Sequence, residues 1–222
     1  MSFWPRLTPL APPVIVTDEE DENPMDMRDL FLAQHSFMHS ANVAGNKASA
    51  VERVLNGLSE EQLRVRPRED LNSIAWILWH VSRAEDIFLN PVLTGRSQVF
   101  DDAWMKKLNV TRKDFGIGMK GPEVSDLTRA ISLDAVREYR DAVGKRTREI
   151  IGGFQPGDWE GQVQQAGVDR ALAEGGFPPP VAQAFVGRPR AMVLSGLALF
   201  HPAGHFGEAN TIRSAGGFGT GI

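Results

Sequence analysis

Four long stretches of the chain carry apolar side chains with a helical period, and they predict four helices. We expect these helices at residues 26–57, 72–89, 132–153 and 190–215. The first half of the second helix is apolar on nearly every side, so this helix should be the most buried. No run of alternating polar and apolar residues is long enough to demand a sheet. The pattern predicts an all-α fold, a four-helix bundle of the up-down-down-up type.

Residues at the predicted helix ends have the chemistry of helix caps. Asn72 and Ser132 are the expected N-caps of the second and third helices, because their side-chain oxygens accept hydrogen bonds from the first turn. Pro91 and Gly95 mark the end of the second helix. The connections between helices 2 and 3 and between helices 3 and 4 are far longer than ordinary loops. We expect a short helix within the first connection.

The composition is that of one globular domain. The chain has 222 residues, of which 42% are hydrophobic, and this is enough for a sizeable core. Residues 1–24 are rich in proline and then in acidic side chains, so we expect a disordered N-terminal arm there and the bundle domain at residues 25–222. The net charge of -4 and the lack of an apolar span or basic run predict a cytoplasmic protein that binds neither nucleic acid nor a membrane.

Three of the five histidines are expected to face the core. At about 100° per residue, His201 and His205 lie one turn apart on the apolar face of the fourth helix, and Glu208 follows on the same face. His80 lies on the apolar stripe of the second helix. The helical pattern therefore places three imidazoles in the middle of one bundle.

Burial of these imidazoles needs compensation. Leaving a buried polar group unpaired costs about 1–3 kcal/mol on protein mutational scales. A shared metal ion removes the problem, since each ring gives one nitrogen to the ion and its other N–H to an acceptor. The sequence contains no cysteine, so a metal site here must use nitrogen and oxygen ligands. The alternative is a hydrogen-bonded network of core histidines.

His35 and His39 form a second pair with the same spacing, on the first helix. The apolar face of that helix centres on Leu30 and Phe37, so we expect His35 on its flank and His39 almost opposite it. Both imidazoles should then face mainly solvent. Glu85 lies well off the stripe that faces the candidate metal site, and we interpret it as a structural group at the interface with the first or third helix.

Pro202 stands between the two histidines of the fourth helix. A proline inside a helix removes one backbone hydrogen bond, so we expect a bend or a π-type irregularity at His201. Such irregularities are frequent at functional sites. The alternative is a helix that begins near Pro202, with the proline in its first position.

Two segments carry a family resemblance. Residues 73–85 resemble the second helix of the DinB-like superfamily, and residues 201–209 are similar to its last helix. The resemblance extends over residues 26–217 and implies a four-helix bundle, often a homodimer, with a divalent metal on three histidines. These histidines fall on His80, His201 and His205. Relatives include mycothiol-dependent maleylpyruvate isomerases, bacillithiol transferases and the N-terminal domains of ergothioneine-pathway sulfoxide synthases.

The expected site has the layout of a catalytic centre, because three protein ligands leave coordination positions open. All-nitrogen ligation suits Zn²⁺, Ni²⁺ or Fe²⁺. Glu208 is the candidate general base, and a salt bridge within the bundle is its alternative role. We expect a metal-dependent thiol transferase or hydrolase that acts on a small molecule, with a low-molecular-weight thiol as a candidate cofactor. The alternative is a non-catalytic metal-binding or scaffold bundle.

Overall fold

The structure, a computed structural model, describes residues 26–220. Every regular element of this part of the chain is helical, and it contains no β-strand. The predicted all-α class is therefore confirmed, while the up-down-down-up order of a four-helix bundle stays a prediction. The predicted disordered arm at residues 1–24 lies outside the described residues. None of the helices between residues 26 and 220 has the length and apolarity needed to cross a membrane.

The elements follow one another in three groups. The first comprises α1 (Met27–Met38), α2 (Ala41–Ala44), α3 (Ala50–Leu55), α4 (Glu60–Leu63), α5 (Ile74–Ile87) and a π-helical segment (Phe88–Thr94). The second comprises α6 (Asp102–Leu108), α7 (Gly121–Ala130) and α8 (Leu133–Gly152). The third comprises α9 (Pro156–Trp159), α10 (Gln165–Ala173), α11 (Pro179–Gln183), α12 (Arg190–Ser195), a second π-helical segment (Gly196–Phe200) and α13 (His201–Ala215).

Helix α5 forms the buried centre of the fold, as its apolar sequence predicts. All 14 of its residues are buried, and it packs against α8 and α13. Its N-cap is Ser73, whose hydroxyl accepts a hydrogen bond from the backbone N–H of Trp76 at 3.0 Å. The predicted cap, Asn72, is wrong by one residue, because its side chain donates to the Glu208 carboxylate at 2.8 Å instead.

Helical backbone continues past the predicted end of the second helix. Pro91 has no backbone N–H, and in an α-helix its ring would collide with a preceding carbonyl. The backbone widens into the π-helical segment Phe88–Thr94, which accommodates Pro91. This segment ends at Gly95, which adopts a left-handed conformation with φ of 65°. Gly95 therefore marks the end of the helix as predicted, and Pro91 does not.

The predicted first helix is wrong in its length, because residues 26–57 form the three short helices α1, α2 and α3. Ser40 and Ser49 have extended backbone conformations at the two breaks, and Gly45 has φ of 73°. Serine side chains compete with the helical backbone for hydrogen bonds and so favour helix ends. Here the hydroxyl of Ser49 caps α3 by accepting from the backbone N–H of Glu52 at 3.3 Å.

The third helix is confirmed, and the fourth contains the predicted irregularity. Ser132 caps α8 with its side chain, and α8 ends at Gly152 as expected. Backbone helical structure is continuous over residues 190–215, with the π-helical segment directly before His201. The alternative helix start at Pro202 therefore does not hold. The wider π turn accommodates Pro202, whose ring would otherwise meet a carbonyl of the preceding turn.

The long connection after α5 is anchored by the buried carboxylate of Asp86. This carboxylate accepts hydrogen bonds from the backbone N–H groups of Val99 at 2.8 Å and Phe100 at 2.9 Å. It also accepts from the Tyr139 hydroxyl at 2.6 Å and from the Arg83 guanidinium at 3.2 Å. A carboxylate is stable in the interior only when such donors surround it. The expected short helix in this connection is confirmed by α6 and α7.

We expect Asp86→Ala to lower the free energy of unfolding by about 3–5 kcal/mol, because it leaves the buried Arg83 cation without its anion. Urea denaturation followed by circular dichroism would measure the change. Asp126→Ala is the matched control, since Asp126 pairs with Arg129 on the surface, and it should change stability by no more than about 0.5 kcal/mol. Equal effects of the two substitutions would contradict the anchoring role of Asp86.

Candidate metal centre

Three imidazoles meet between α5 and α13. His80 lies in the middle of α5, while His201 begins α13 and His205 follows one turn later. The ring centroids of His80 and His201 are 4.9 Å apart, and His205 lies 4.7 Å from each of them. His80 is buried, whereas His201 and His205 are partly exposed. The structure therefore brings together the three histidines that the helical pattern placed in the core.

The orientation of His80 is set from three sides. Its Nδ1–H donates to the backbone carbonyl of Phe115 at 2.5 Å, and its Nε2 lies 3.0 Å from Nε2 of His201. The indole of Trp76 stacks on the ring, with centroids 4.4 Å apart and planes inclined by 13°. Because Nδ1 donates to a carbonyl, the neutral ring presents the lone pair of Nε2 to the other two histidines.

His205 is oriented in the same way by a carboxylate. Its Nδ1–H donates to Glu208 at 2.7 Å, and the other oxygen of Glu208 accepts from the side chain of Asn72. Burial by itself raises the pKa of Glu208, but the hydrogen bonds from His205 and Asn72 outweigh it and lower that pKa. Glu208 is therefore ionised at neutral pH and fixes the tautomer in which Nε2 of His205 carries a lone pair.

His201 contacts His80 through Nε2 but has no acceptor for its other ring nitrogen among the described residues. That nitrogen, Nδ1, is buried. Burial lowers the pKa of His201 to about 3 and that of His80 to about 4, and the carbonyl of Phe115 opposes the second shift. Both imidazoles are therefore neutral at pH 7, as metal ligation requires.

These observations fit a divalent metal ion. The rings of His80 and His205 are oriented through Nδ1, so that Nε2 of each carries a lone pair. Nε2 of His201 lies 3.0 Å from that of His80, and one nitrogen from each of the three rings lies within 4.8 Å of the others. The outer hydrogen bonds to a carbonyl and a carboxylate are those that usually orient metal-bound imidazoles. The cluster is thus chemically suited to transition-metal ligation by nitrogen.

The prediction that His35 and His39 face solvent is wrong, since both side chains are fully buried. The predicted apolar face is the exposed one instead, because Leu30 is 44% and Phe37 51% exposed. The wheel assumed that apolar residues alone select the inner face. In the structure, the buried carboxylate of Glu85 provides partners for both imidazoles and so turns the polar face of α1 inward.

Glu85 occupies the interface with the first and third predicted helices, as interpreted from the sequence. Its two oxygens lie 3.0 Å from Nε2 of His35 and 2.8 Å from Nε2 of His39, and Thr147 on α8 donates to it at 2.6 Å. The two imidazole rings stack with centroids 4.2 Å apart. This second group of metal-ligating side chains was missed, although the spacing of His35 and His39 and the off-stripe position of Glu85 were visible.

Gly144 makes this second group sterically feasible. A Cβ atom at this position would lie 2.4 Å from Nδ1 of His39, so α8 can approach the ring only where it carries a glycine. Burial lowers the pKa of His39 to about 3 against the attraction of Glu85. Burial alone raises the pKa of Glu85, but attraction to His39 and hydrogen bonds with both imidazoles hold it well below its ordinary value.

The aromatic residues around α5 divide into two groups. Trp76 and Phe115 contact His80, with the ring of Phe115 5.6 Å from the imidazole. Trp104 packs against Tyr139 instead, at 5.3 Å, because α6 lies over α8. A wall for the site is therefore formed by Trp76 and Phe115, and Trp104 belongs to the core.

Protein freed of metal by chelation should lose stability as the pH is lowered from about 6.5 towards 4. Burial depresses the pKa values of His39, His80 and His201 in the folded state. Below about pH 6.5 these histidines are therefore protonated in the unfolded chain while they are still neutral in the folded chain, and this favours unfolding. Each such histidine contributes a slope of up to about 1.4 kcal/mol per pH unit. Urea denaturation at several pH values measures the free energy of unfolding, and a value that does not change with pH would contradict the burial of these histidines.

Comparison with known proteins agrees with the resemblance drawn from the two motifs. A family model described as the DinB superfamily matches residues 47–186, which is more than half of the chain. The matched segment contains His80 and Glu85 but ends before His201 and His205, so the match does not itself cover the complete candidate site. A search of curated proteins finds no match. The extent of the family match and the all-helical fold show that the chain belongs to the DinB superfamily.

Proposed function

We propose that this protein binds one divalent transition-metal ion through His80, His201 and His205 and uses it in an enzymatic reaction on a small molecule. One observation carries the proposal. The imidazoles of His80 and His205 are each hydrogen-bonded through Nδ1 to an acceptor, which leaves a lone pair on Nε2 of both rings, and one ligand nitrogen from each of the three histidines lies within 4.8 Å of the others. This outer hydrogen bonding orients ligands before an ion arrives.

Zn²⁺, Ni²⁺ and Fe²⁺ are the candidate ions, because all accept three nitrogen ligands. Such an ion, when bound, would supply Lewis acidity that favours deprotonation of water or of a thiol at neutral pH. The protein contributes the remaining parts. His201 and His205 lie on the partly exposed side of the site, and Glu208 holds His205 in place. The ionised Glu208 carboxylate is also the candidate proton acceptor beside the open side.

A cavity large enough for a small molecule lies near the site, although none of the three histidines lines it. Its volume is about 350 Å³, and it is lined in part by Arg112, Met119 and Glu123. The indole N–H of Trp76 contacts the sulfur of Met119 at 3.3 Å, and the opposite partner of Trp76 is the ring of His80. Trp76 and Met119 therefore separate this cavity from the three histidines. We propose a thiol-transfer or hydrolytic reaction, with a low-molecular-weight thiol as the co-substrate in the first case.

A non-catalytic metal-binding or scaffold role is the second candidate, and the enclosure of His80 favours it. Only 5% of this side chain is exposed, and it is covered by Trp76 and Phe115. A metal closed off by side chains would stabilise the fold without reaching a substrate. The expected homodimer and cytoplasmic location stay predictions under either function.

Elemental analysis of the purified protein tests the metal site. We expect His80→Ala, and separately His201→Ala/His205→Ala, to contain one transition-metal ion per chain fewer than the unsubstituted protein, because each change removes ligands. Ser214→Ala, an exposed position on the same helix as His201, is the control and should retain the full content. An unchanged metal content in the histidine variants would refute the site, and the ion found would decide which metal enters activity assays.

A panel of thiol-transfer and ester-hydrolysis assays tests the catalytic role. We expect Glu208→Gln to keep its metal and to lower kcat by about 10²–10⁴-fold, since the amide preserves the contact with His205 but accepts no proton. Asn72→Ala is the matched control, because it removes a hydrogen bond to Glu208 and leaves the carboxylate. Activity that survives in His80→Ala would argue against metal-dependent catalysis. Metal binding without activity on any substrate would favour the scaffold role.

A further inference from the structure

The buried group formed by His35, His39 and Glu85 has the composition of a metal site in its own right. The two histidines are four residues apart at the end of α1, and Glu85 faces them from α5. One nitrogen of each ring and one carboxylate oxygen lie within 4.8 Å of one another. Two imidazoles, one from the last turn of α1 and one from its C-cap, together with a carboxylate from a second helix are a suitable ligand set for a divalent cation.

The protonation of the imidazoles does not oppose a cation. Nδ1 of His35 and Nδ1 of His39 have no hydrogen-bond partner among the described residues, so no outer contact fixes either ring in one tautomer. Each ring can donate Nε2–H to Glu85 or, with the proton moved to Nδ1, present the lone pair of Nε2 to an ion. Thr147 donates to the carboxylate in both arrangements and supports it in the way that ligating carboxylates are usually supported.

Within residues 26–220, no cationic side chain is bonded directly to the oxygens of Glu85. The carboxylate of Glu85 is 1% exposed, and its hydrogen-bond partners are two imidazoles and a hydroxyl. Arg140 is the buried guanidinium nearby, but it donates to the backbone carbonyl of Met38 and makes no hydrogen bond to Glu85. The two imidazoles already stabilise the carboxylate, but no cationic side chain of the described residues is bonded to its oxygens, so a divalent ion there would give it a direct charge partner.

We propose that His35, His39 and Glu85 form a second, structural divalent-cation site that takes Zn²⁺. Two ligand atoms of a tetrahedral zinc ion lie roughly 3.3 Å apart when the bonds are about 2.0 Å long. The nitrogen–oxygen separations of 3.0 and 2.8 Å, each to a different oxygen of Glu85, are slightly shorter, so an ion held by both oxygens would need them to widen by a few tenths of an ångström. The three side chains are closed to solvent, and this excludes a substrate position and makes the site structural.

Metal binding has one unfavourable contribution to its free energy. When Nε2 of His35 and of His39 binds the ion, the proton of each ring lies on Nδ1, where it has no acceptor among the described residues. The binding free energy of a structural zinc ion exceeds that cost, because it draws on three bonds formed at once. The ion would connect the end of α1 to the last turn of α5. It would also explain why α8 carries Gly144, which a larger residue could not replace without displacing His39.

Zinc content in a background that lacks the first site tests the proposal. The protein carrying His80→Ala/His201→Ala/His205→Ala is produced with Zn²⁺, desalted and analysed by native mass spectrometry and elemental analysis. We expect one zinc ion per chain to remain in this variant and to be lost when Glu85→Gln is added. Glu138→Gln, an exposed carboxylate on α8 that pairs with Lys107, is the matched control and should leave the ion in place.

If the triple variant is too unstable to purify, Glu85→Gln alone should contain one zinc ion fewer than the unsubstituted protein. A folded triple variant that holds no zinc would overturn the proposal and leave a hydrogen-bonded network of His35, His39 and Glu85. Zinc that persists after Glu85→Gln would also overturn it, because the ion would then lie elsewhere. Failure of the first site is distinguishable, since zinc would then be insensitive to His80→Ala but still lost in Glu85→Gln.

Discussion

The burial of α5 along its whole length is the constraint on which the rest of the structure depends. A helix with no exposed face must provide an internal partner for every polar side chain it carries, because an unpaired polar group in the interior is costly. Four of these side chains are His80, Arg83, Glu85 and Asp86. Together they contact α1, α8, α13 and the connection after α5, so the polar residues of α5 help to determine which elements pack around it.

The partners of these side chains come from four segments of the fold. Asp86 and Arg83 anchor the connection after α5 and the Tyr139 side of α8, through hydrogen bonds to backbone and hydroxyl groups. Glu85 is hydrogen-bonded to side chains of α1 and α8, and His80 contacts the first residue of α13. Five residues of α-helix turn through about 140°, so His80 and Glu85 leave α5 on different faces. Two separate histidine groups therefore form on opposite sides of one helix.

The two groups differ in the features that separate a reactive site from a structural one. The imidazoles of His80 and His205 are locked by outer acceptors, and the group is partly exposed through His201 and His205. The group around Glu85 is closed, and its imidazoles have no outer partner among residues 26–220. The match to the DinB superfamily covers residues 47–186, which include α5. The chemistry of each side of α5 depends on residues outside that segment, on α1 and α13.

The sequence by itself determined the all-helical class, the bounds of α8 with its Ser132 cap, and the irregularity before His201. These features follow from local chemistry: apolar period, a capping oxygen and a proline that cannot donate. It also placed His80, His201 and His205 together, because all three share stripes with apolar residues. Only the tertiary structure decided that His35 and His39 are buried. Their inward orientation depends on the carboxylate of Glu85, which comes from another helix. A helical wheel uses only the residues of one helix, so it contains no information on a polar partner that is distant in sequence.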